Sequence, residues 1–163
     1  MAQLATEVKD TLGALEHRWC PGTQQNSVFA TRKVLAGTVI SRFDAKEVTT
    51  VPTMYTVQTG ENEHIVLQPT LLEYINHSCN PTAFFDTAER QLVALREIQP
   101  GDEVTFNYVS TEFDMATPFD CHCGEEGCFG RISGAAHVPQ AQLEKCRLNA
   151  HISRMLAARD AKV

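Results

Sequence analysis

Residues 121–130, CHCGEEGCFG, place three cysteines close together, at positions 121, 123 and 128. Thiolates at this C-x-C-x4-C spacing can face one metal ion, and the glycines of the segment allow the tight turns that point them inward. A closed structural zinc site takes four ligands, so a fourth has to come from elsewhere in the chain. Cys79 is the best candidate, because it lies in a turn-rich run before Pro81, and His122 and His77 are the alternatives. The sequence therefore predicts one structural Zn²⁺ with the ligands Cys79, Cys121, Cys123 and Cys128.

The whole sequence has the size and composition of one globular domain. It has 163 residues, of which 43% are hydrophobic and 21% charged, and these fractions are ordinary. No apolar run approaches the roughly 18 residues of a membrane span. The first residues, MAQLATEVKD, lack the basic head and apolar stretch of a secretory signal. We therefore expect an intracellular protein, nuclear or cytoplasmic and not secreted, where clustered thiols bind metal more often than they remain redox-silent or pair.

The chain is acidic, with a formal net charge of −6 at pH 7 and a pI of about 5.5. Phosphate binding requires a basic face, so the charge argues against nucleic acid as a direct partner. An acidic surface suits a basic partner such as a lysine-rich peptide, although charge of this size also serves solubility. We expect neither a nucleic-acid partner nor a membrane.

Many short strands bounded by turns predict a β-rich α+β domain. Two short strands are expected around a turn at Ala36-Gly37, and VTFNYV should form a further strand. Hairpins are expected over residues 53–69 and 83–98, and one or two helical turns over residues 70–76. The segment WCPGTQQNS is loop-like. Apolar residues at helical spacing predict helices at the two ends of the chain, over residues 4–16 and about 140–159.

Two further motifs precede the cysteine-rich tail: Asn76-His77-Ser78-Cys79-Asn80-Pro81 and GDEVTFNY, residues 101–108. Each alone is ambiguous, because Asn, Ser and Pro form turns and a single Tyr in a strand is usually part of the core. Together, and in this order, they resemble the SET-domain lysine methyltransferases. NHSCNP is similar to that family's NHSCxPN motif, GDEVTFNY to its GEELTFDY motif, and CHCGEEGCFG to its zinc-binding post-SET tail. VFATRKVLAGTVI is similar to its opening strand pair, and the resemblance covers roughly residues 26–134.

The resemblance implies a SET-domain fold of several short β-sheets, in which the two central motifs cross in a knot-like arrangement. It also implies a zinc-bound post-SET loop, with helices at the ends of the chain. The expected organisation is an N-terminal helix and loop over residues 1–25, a SET domain over 26–112, a post-SET segment over 113–134 and a C-terminal helix over 135–163.

The resemblance also assigns roles to residues of this chain. Asn76 and His77 would contact S-adenosylmethionine, as would Tyr108, the active-site tyrosine. Phe106 matches the position that influences how many methyl groups are added, and Phe there favours di- or trimethylation. Tyr55 would supply another wall of the lysine channel. The strand that approaches the cofactor would contribute Asn26, Ser27, Val28 and Phe29.

The sequence departs from the family pattern at several positions. Gln25, Asn26 and Ser27 occupy the place of a G-x-G stretch that lets the backbone approach the cofactor. Glu73 replaces a common Arg, and Asn107 replaces the Asp before the tyrosine. No Asp or Glu within the motifs is an obvious strong base. The expected mechanism is in-line transfer in a dry aromatic channel, which disfavours the charged form of the lysine amine.

Three functions compete for this sequence. The leading hypothesis is a protein-lysine methyltransferase with histone tails as the default substrate. The short segment 45–72 and the altered glycines motivate the second, a related S-adenosylmethionine enzyme that acts on another protein or a small molecule. The third is a non-catalytic binding module, which the retention of Asn76, His77 and Tyr108 disfavours. The terminal helices could also support a homodimer.

Overall fold

The computed structural model describes residues 13–162. Most of this part of the chain is built from short strands and turns, and two α-helices follow near its end. The strands are β1 (Leu15–Cys20), β2 (Gln25–Ala30), β3 (Val39–Arg42), β4 (Asp44–Thr49), β5 (Thr56–Gly60), β6 (Glu63–Gln68), β7 (Asn76–His77), β8 (Ala83–Asp86), β9 (Gln91–Ala94), β10 (Thr105–Phe106), β11 (Phe119–Asp120) and β12 (Arg131–Ile132). The α-helices are α1 (Gln140–Leu143) and α2 (Ala150–Asp160), and 3-10 turns cover Thr70–Tyr74, Tyr108–Ser110 and Ala135–His137.

The strands form five small sheets. Three have two strands each: β1 with β2, β11 with β12, and the parallel pair β7 with β10. The other two have three strands each, in the orders β3-β9-β8 and β4-β6-β5. Several small sheets with few helices confirm the predicted β-rich α+β fold.

The two predicted hairpins are confirmed. β5 and β6 pair across the turn at residues 61–62, and β8 and β9 pair across residues 87–90. Turn chemistry and the run of β-branched and aromatic residues were sufficient in both cases, because each partner strand is the next one along the chain. The predicted helical turn over residues 70–76 is present as the 3-10 turn at Thr70–Tyr74.

The expected loop and helix at the start of the chain are corrected by the hairpin of β1 and β2. All six residues of β1 pair with β2, from Leu15 with Ala30 to Cys20 with Gln25. Residues 15 and 16 are therefore strand and not the end of a helix, and the rest of the predicted helix over residues 4–16 lies almost wholly outside the described residues. The predicted loop shortens to the turn at residues 21–24, which contains Pro21 and Gly22, and the ring of His17 in β1 stacks on Tyr74, 4.4 Å between centroids.

Three other expectations are corrected in detail. The strands on either side of Ala36-Gly37 do not pair with each other, since β2 pairs with β1 and β3 with β9. The strand predicted over VTFNYV shortens to β10, because the side chain of Asn107 accepts a hydrogen bond from Val109 N, 3.1 Å, and begins a 3-10 turn. The C-terminal helical segment is divided into α1 and α2, so Leu148 precedes the second helix.

The parallel pairing of β7 with β10 joins the two sequence motifs. Asn76 lies opposite Thr105, and His77 lies opposite Phe106. Beyond the strands, Ser78 N donates to Phe106 O, 3.0 Å. The two segments are therefore held side by side, which aligns the residues that follow each of them.

Two apolar clusters form the core of the described residues. The larger lies between the sheets and includes Val28, Ile65, Leu92 and Phe85, which are fully buried. The smaller packs the last helix against the segment that follows β10, through Val109, Ile152 and Leu156. No helix in residues 13–162 has the length and hydrophobicity to cross a membrane.

Asn149 anchors α2 to the rest of the domain. Its side-chain Nδ2 donates to Phe85 O, 2.8 Å, and to Ser110 O, 2.9 Å. Its Oδ1 accepts from Thr87 N, 3.0 Å, and from the Thr87 hydroxyl, 3.1 Å. One buried amide thus satisfies backbone groups from two other segments, which would otherwise be unpaired away from water.

We expect Asn149→Ala to lower the free energy of unfolding by about 3 kcal/mol, because it leaves several buried polar groups without partners. Urea denaturation measures the change. Asn62→Ala, at an exposed turn position, is the matched control and should change stability by less than about 0.5 kcal/mol. Equal stability of the two variants would contradict an anchoring role for Asn149.

Candidate active site

A cavity of about 760 Å³ opens between the two motifs, the loop before β5 and the segment leading to the cysteines. Its volume is in the range of cavities that hold cofactors and small substrates. The lining includes four groups of residues: Thr23 and Gln25 beside β2, Pro52–Val57 before and within β5, Asn76 and His77 with Phe106 and Tyr108 of the motifs, and Met115–Thr117 with Phe119–Cys123 of the tail.

Tyr108 lies in the lining of this cavity, and both its backbone and its hydroxyl are held. Its backbone N–H donates to His77 Nδ1, 3.1 Å, and its hydroxyl donates to Ile75 O, 3.2 Å. Burial, with the charges of Glu112 and Glu103, raises the pKa of Tyr108 well above its ordinary value. The hydroxyl therefore stays protonated at physiological pH and remains a hydrogen-bond donor.

Aromatic rings surround Tyr108. Phe106 lies 4.6 Å away between ring centroids, Phe119 5.8 Å and His77 5.3 Å. Tyr55 is at the mouth of the cavity, 45% exposed, with its ring against the edge of Tyr74 at 6.4 Å. The structure thus brings Phe106, Tyr108 and Tyr55 to one cavity, with Tyr55 at its rim.

Asn76 connects the NHSCNP motif to β2, the strand that was predicted to approach the cofactor. Its Nδ2 donates to Asn26 O, 2.8 Å, to Ser27 Oγ, 3.0 Å, and to Glu103 Oε1, 3.2 Å. The Asn76 amide therefore holds β2 against the start of GDEVTFNY. Its Nδ2 group already donates hydrogen bonds within the protein.

The predicted cofactor-binding residues divide into two groups. Asn76, His77 and Tyr108 line the cavity, and so does Gln25 at the start of β2. Asn26, Ser27, Val28 and Phe29 do not line it: Val28 is fully buried in the core, and Phe29 lies under the guanidinium of Arg18 at 4.6 Å. Gln25, at the first position of the expected G-x-G place, is therefore the residue of β2 that lines the cavity.

The cavity is acidic. Glu73, Glu103, Glu112 and Asp120 line it, and none of the described lining residues is Lys or Arg. Burial raises the pKa of Glu73 in spite of the nearby charge of Lys46. Burial also raises the pKa of Glu112, to about 7. Such a lining favours cationic ligands.

Glu112 was missed by the motif analysis because it lies four residues after Tyr108, beyond the last motif residue. One signal was available in the sequence. A turn that directly follows Tyr108 has to remain near it, so an acidic residue in that turn is a candidate neighbour.

The four predicted metal ligands converge beside the cavity. The Sγ atoms of Cys79, Cys121, Cys123 and Cys128 all lie within 4.8 Å of one another. Cys79 Sγ is 3.9 Å from Cys121 Sγ and 3.9 Å from Cys128 Sγ. Tetrahedral zinc with Zn–S bonds of about 2.3 Å requires sulfur separations of about 3.8 Å. This donor set therefore fits one Zn²⁺, whereas His122 is exposed and outside the cluster.

His77 connects the cysteine cluster to Tyr108. Its Nδ1 accepts from Tyr108 N, so the proton of the neutral ring belongs on Nε2, which lies 3.2 Å from Cys79 Sγ. Burial lowers the pKa of His77 to about 4, so the ring is neutral. Phe129 N also donates to Cys79 Sγ, 3.4 Å. Such N–H donors stabilise a metal-bound thiolate and orient it.

Comparison with known proteins places these features in a family. The SET domain model matches residues 25–109. The methyltransferase flvH of Aspergillus flavus is 38% identical over 130 residues, which cover 78% of this chain and 72% of that protein. An H3 lysine-36 specific histone-lysine N-methyltransferase of Aspergillus oryzae is 34% identical over 88 residues, which cover 50% of this chain and only 9% of that protein.

The fold of this chain is also similar to that of a solved structure. The structure of KRYPTONITE in complex with mCHH DNA, an H3(1–15) peptide and SAH superposes with a TM-score of 0.54 at 20% identity. The match covers 72% of this chain and 29% of that one. The chain belongs to the family of SET-domain methyltransferases.

Proposed function

We propose that the protein transfers a methyl group from S-adenosylmethionine to the amine of a lysine side chain. The observation that carries the proposal is the position of Tyr108. It lines one acidic cavity together with Asn76, His77, Tyr55, Phe106 and Glu112. One group can therefore bind at Asn76 and His77 while an amine enters past Tyr55.

The residues present fit S-adenosylmethionine, which when bound supplies an electrophilic methyl group on a positively charged sulfur. The four acidic side chains of the lining favour that charge. Gln25, Asn76 and His77 would hold the cofactor, and Phe119 would pack against it. The cavity is also large enough to hold a lysine side chain beside it.

The aromatic side chains of the cavity would determine how the lysine amine binds. The rings of Phe106, Tyr108 and Phe119 exclude water, and a dry site next to a positive sulfur disfavours a second positive charge. The Tyr108 hydroxyl and the Ile75 carbonyl would orient the neutral amine in line with the methyl carbon. Phe106 has no hydroxyl to obstruct a methylated amine, which supports di- and trimethylation.

Histone tails are the first substrate class to test, since the Aspergillus oryzae relative is specific for H3 lysine 36. An acidic cavity also suits a basic peptide. A nuclear location would follow from that substrate, and a dimer through the terminal segments remains a prediction. A non-histone or small-molecule amine is the second candidate, because segment 45–72 is short and flvH, which covers more of this chain, is named only as a methyltransferase.

We expect Tyr108→Phe to lower the rate of methyl transfer by about 100-fold or more, the usual effect of removing one oriented donor from a reacting centre. Labelled S-adenosylmethionine with mixed core histones provides the assay. Calorimetry should give cofactor binding within threefold of the wild type. Tyr74→Phe, which keeps its ring against His17, is the matched control and should retain the wild-type rate. Equal rates for all three proteins would contradict the role of Tyr108.

Phe106→Tyr should shift the product from di- and trimethyl-lysine toward monomethyl-lysine, because a hydroxyl in the wall occupies the space that a methylated amine needs. Phe106 is buried, 6% exposed, beside Tyr108, so the added oxygen has few other places to go. Mass spectrometry of the product measures the distribution. An unchanged distribution at equal conversion would mean that this residue does not control it.

We also propose that the four-cysteine cluster holds one structural Zn²⁺. Cys123→Ser should abolish stoichiometric zinc, measured by atomic emission on the purified protein, and should lower the melting temperature. Cys20→Ser, outside the cluster, is the matched control and should retain one zinc per chain. A wild-type protein without zinc, prepared with zinc supplied, would contradict the assignment.

A further inference from the structure

Glu112 has a fixed position on the wall of the cavity that holds Tyr108 and Phe106. Its backbone N–H donates to Tyr108 O, 2.9 Å, which closes a turn of the chain between the two residues. Its carbonyl accepts from Ala135 N, 2.9 Å. These two bonds fix the main chain of Glu112, and the hydrogen bond from Gln58 N to Oε1 holds its side chain.

Among the described residues, hydrogen bonds reach only the Oε1 atom of the Glu112 carboxyl. Oε1 accepts from Gln58 N, 3.0 Å, and from the Thr111 hydroxyl, 3.5 Å. Gln58 is itself fixed, since its Oε1 accepts from Phe113 N, 2.9 Å, and its Nε2 donates to Gly60 O, 2.9 Å. Within residues 13–162, Oε2 of Glu112 has no hydrogen-bond partner and no cation pairs with the carboxylate.

The other acidic residues of the cavity differ in this respect. Glu103 accepts from Asn76, and Asp120 pairs with Arg131 at 2.9 Å. Glu73 lies within the influence of the Lys46 charge. Glu112 is thus the acidic side chain of the lining, among described residues, that has neither a cation nor a side-chain amide for its charge.

We propose that Glu112 is the general base of the reaction, with Oε2 binding the substrate ammonium and accepting one of its protons. This inference rests on the proposed function. It supplies the base that the sequence motifs lack, and it places that base four residues from Tyr108, on the same cavity wall. Burial raises its pKa to about 7, close to the working pH, where a general base is most effective.

Glu112 Oε2 takes a proton from the ammonium and becomes a carboxylic acid. The lone pair of the neutral amine then forms the N–C bond to the methyl carbon while the C–S bond breaks, and the electron pair of that bond stays on sulfur. The products are a methylammonium ion and S-adenosylhomocysteine, and Glu112 returns its proton to water. One proton is released for each methyl group transferred.

The titration of Glu112 has to be distinguished from that of the other titratable groups around it in residues 13–162. Tyr108 stays protonated through the neutral range. Burial lowers the pKa of His64, which lies opposite Gln58 in β6, and of His151 in α2. The elements packed around the Glu112 turn carry further titratable or charged groups: Tyr108, Glu103, Glu63, His64, His151, Arg154, Arg159, and the exposed pair of His137 with Asp114.

The pH dependence of methyl transfer to core histones tests the proposal. For the wild type, kcat/KM should rise with pH and level off above about pH 7, since the base must be ionised. For Glu112→Gln it should be at least 100-fold lower at pH 7.5 and should keep rising with pH toward the pKa of free lysine, about 10.4. Glu112→Asp should be slower but keep an inflection, and Glu89→Gln, at an exposed turn, should match the wild type.

Thermal melting provides a readout that does not depend on activity. Because the folded state raises the pKa of this carboxyl, the stability it contributes is present at low pH and is lost as pH rises through about 7. Glu112→Gln should therefore melt higher than the wild type at pH 8, and the difference should shrink toward pH 5. This also shows whether the variant folds.

Binding of n-butylammonium, a mimic of the lysine side chain, separates this inference from the choice of substrate. In the presence of S-adenosylhomocysteine, its affinity should fall at least tenfold in Glu112→Gln. An active wild type whose rate, pH profile and butylammonium affinity survive in Glu112→Gln would overturn the role of Glu112 and leave the proposed function standing. A wild type that binds butylammonium through Glu112 but methylates no histone would overturn only the histone assignment. A wild type that neither binds it nor transfers methyl would overturn both.

Discussion

The parallel pairing of Asn76 and His77 with Thr105 and Phe106 is the contact on which the rest of the site depends. These two segments are far apart in sequence, and a two-residue ladder contributes little stability by itself. Thr82 and Thr105 reinforce it with reciprocal hydrogen bonds, from Thr82 N to Thr105 Oγ1 at 3.3 Å and from Thr105 N to Thr82 Oγ1 at 3.0 Å. The pairing buries Phe106 and turns the chain at Asn107, so that Tyr108 faces the cavity.

The cysteine cluster carries that alignment into the tail of the domain. Cys79 lies two residues after His77, and the other three cysteines belong to a segment with few apolar contacts of its own. A zinc ion at these thiolates would hold residues 119–123 against the cavity, because a metal bond replaces the missing core. His77 contacts both Tyr108 and Cys79, so the site and the cluster share a wall.

The sequence was a good guide to the features that depend on local chemistry. Turn residues located the hairpins of β5–β6 and β8–β9, and cysteine spacing located the cluster. Predictions from the sequence were wrong where pairing with a distant segment decides the structure. β1 is a strand because it pairs with β2, and β3 pairs with β9 and not with β2. For Glu112, its place just after Tyr108 is the one sequence signal, while its burial beside Gln58 depends on the fold. Asn107 departs from the family's Asp in the sequence, but only the structure shows that its side chain caps the 3-10 turn after β10.

The claim that one cavity brings a methyl donor and an amine together at Tyr108 is tested most directly by a crystal structure with S-adenosylhomocysteine and n-butylammonium. We expect the thioether to lie against Asn76 and His77, with its sulfur facing the amine beside the Tyr108 hydroxyl. The domain has a second cleft, bordered by Arg96, Lys145 and Arg147. Electron density for the thioether in that cleft, with the acidic cavity empty, would contradict the proposal that the methyl donor binds beside Tyr108.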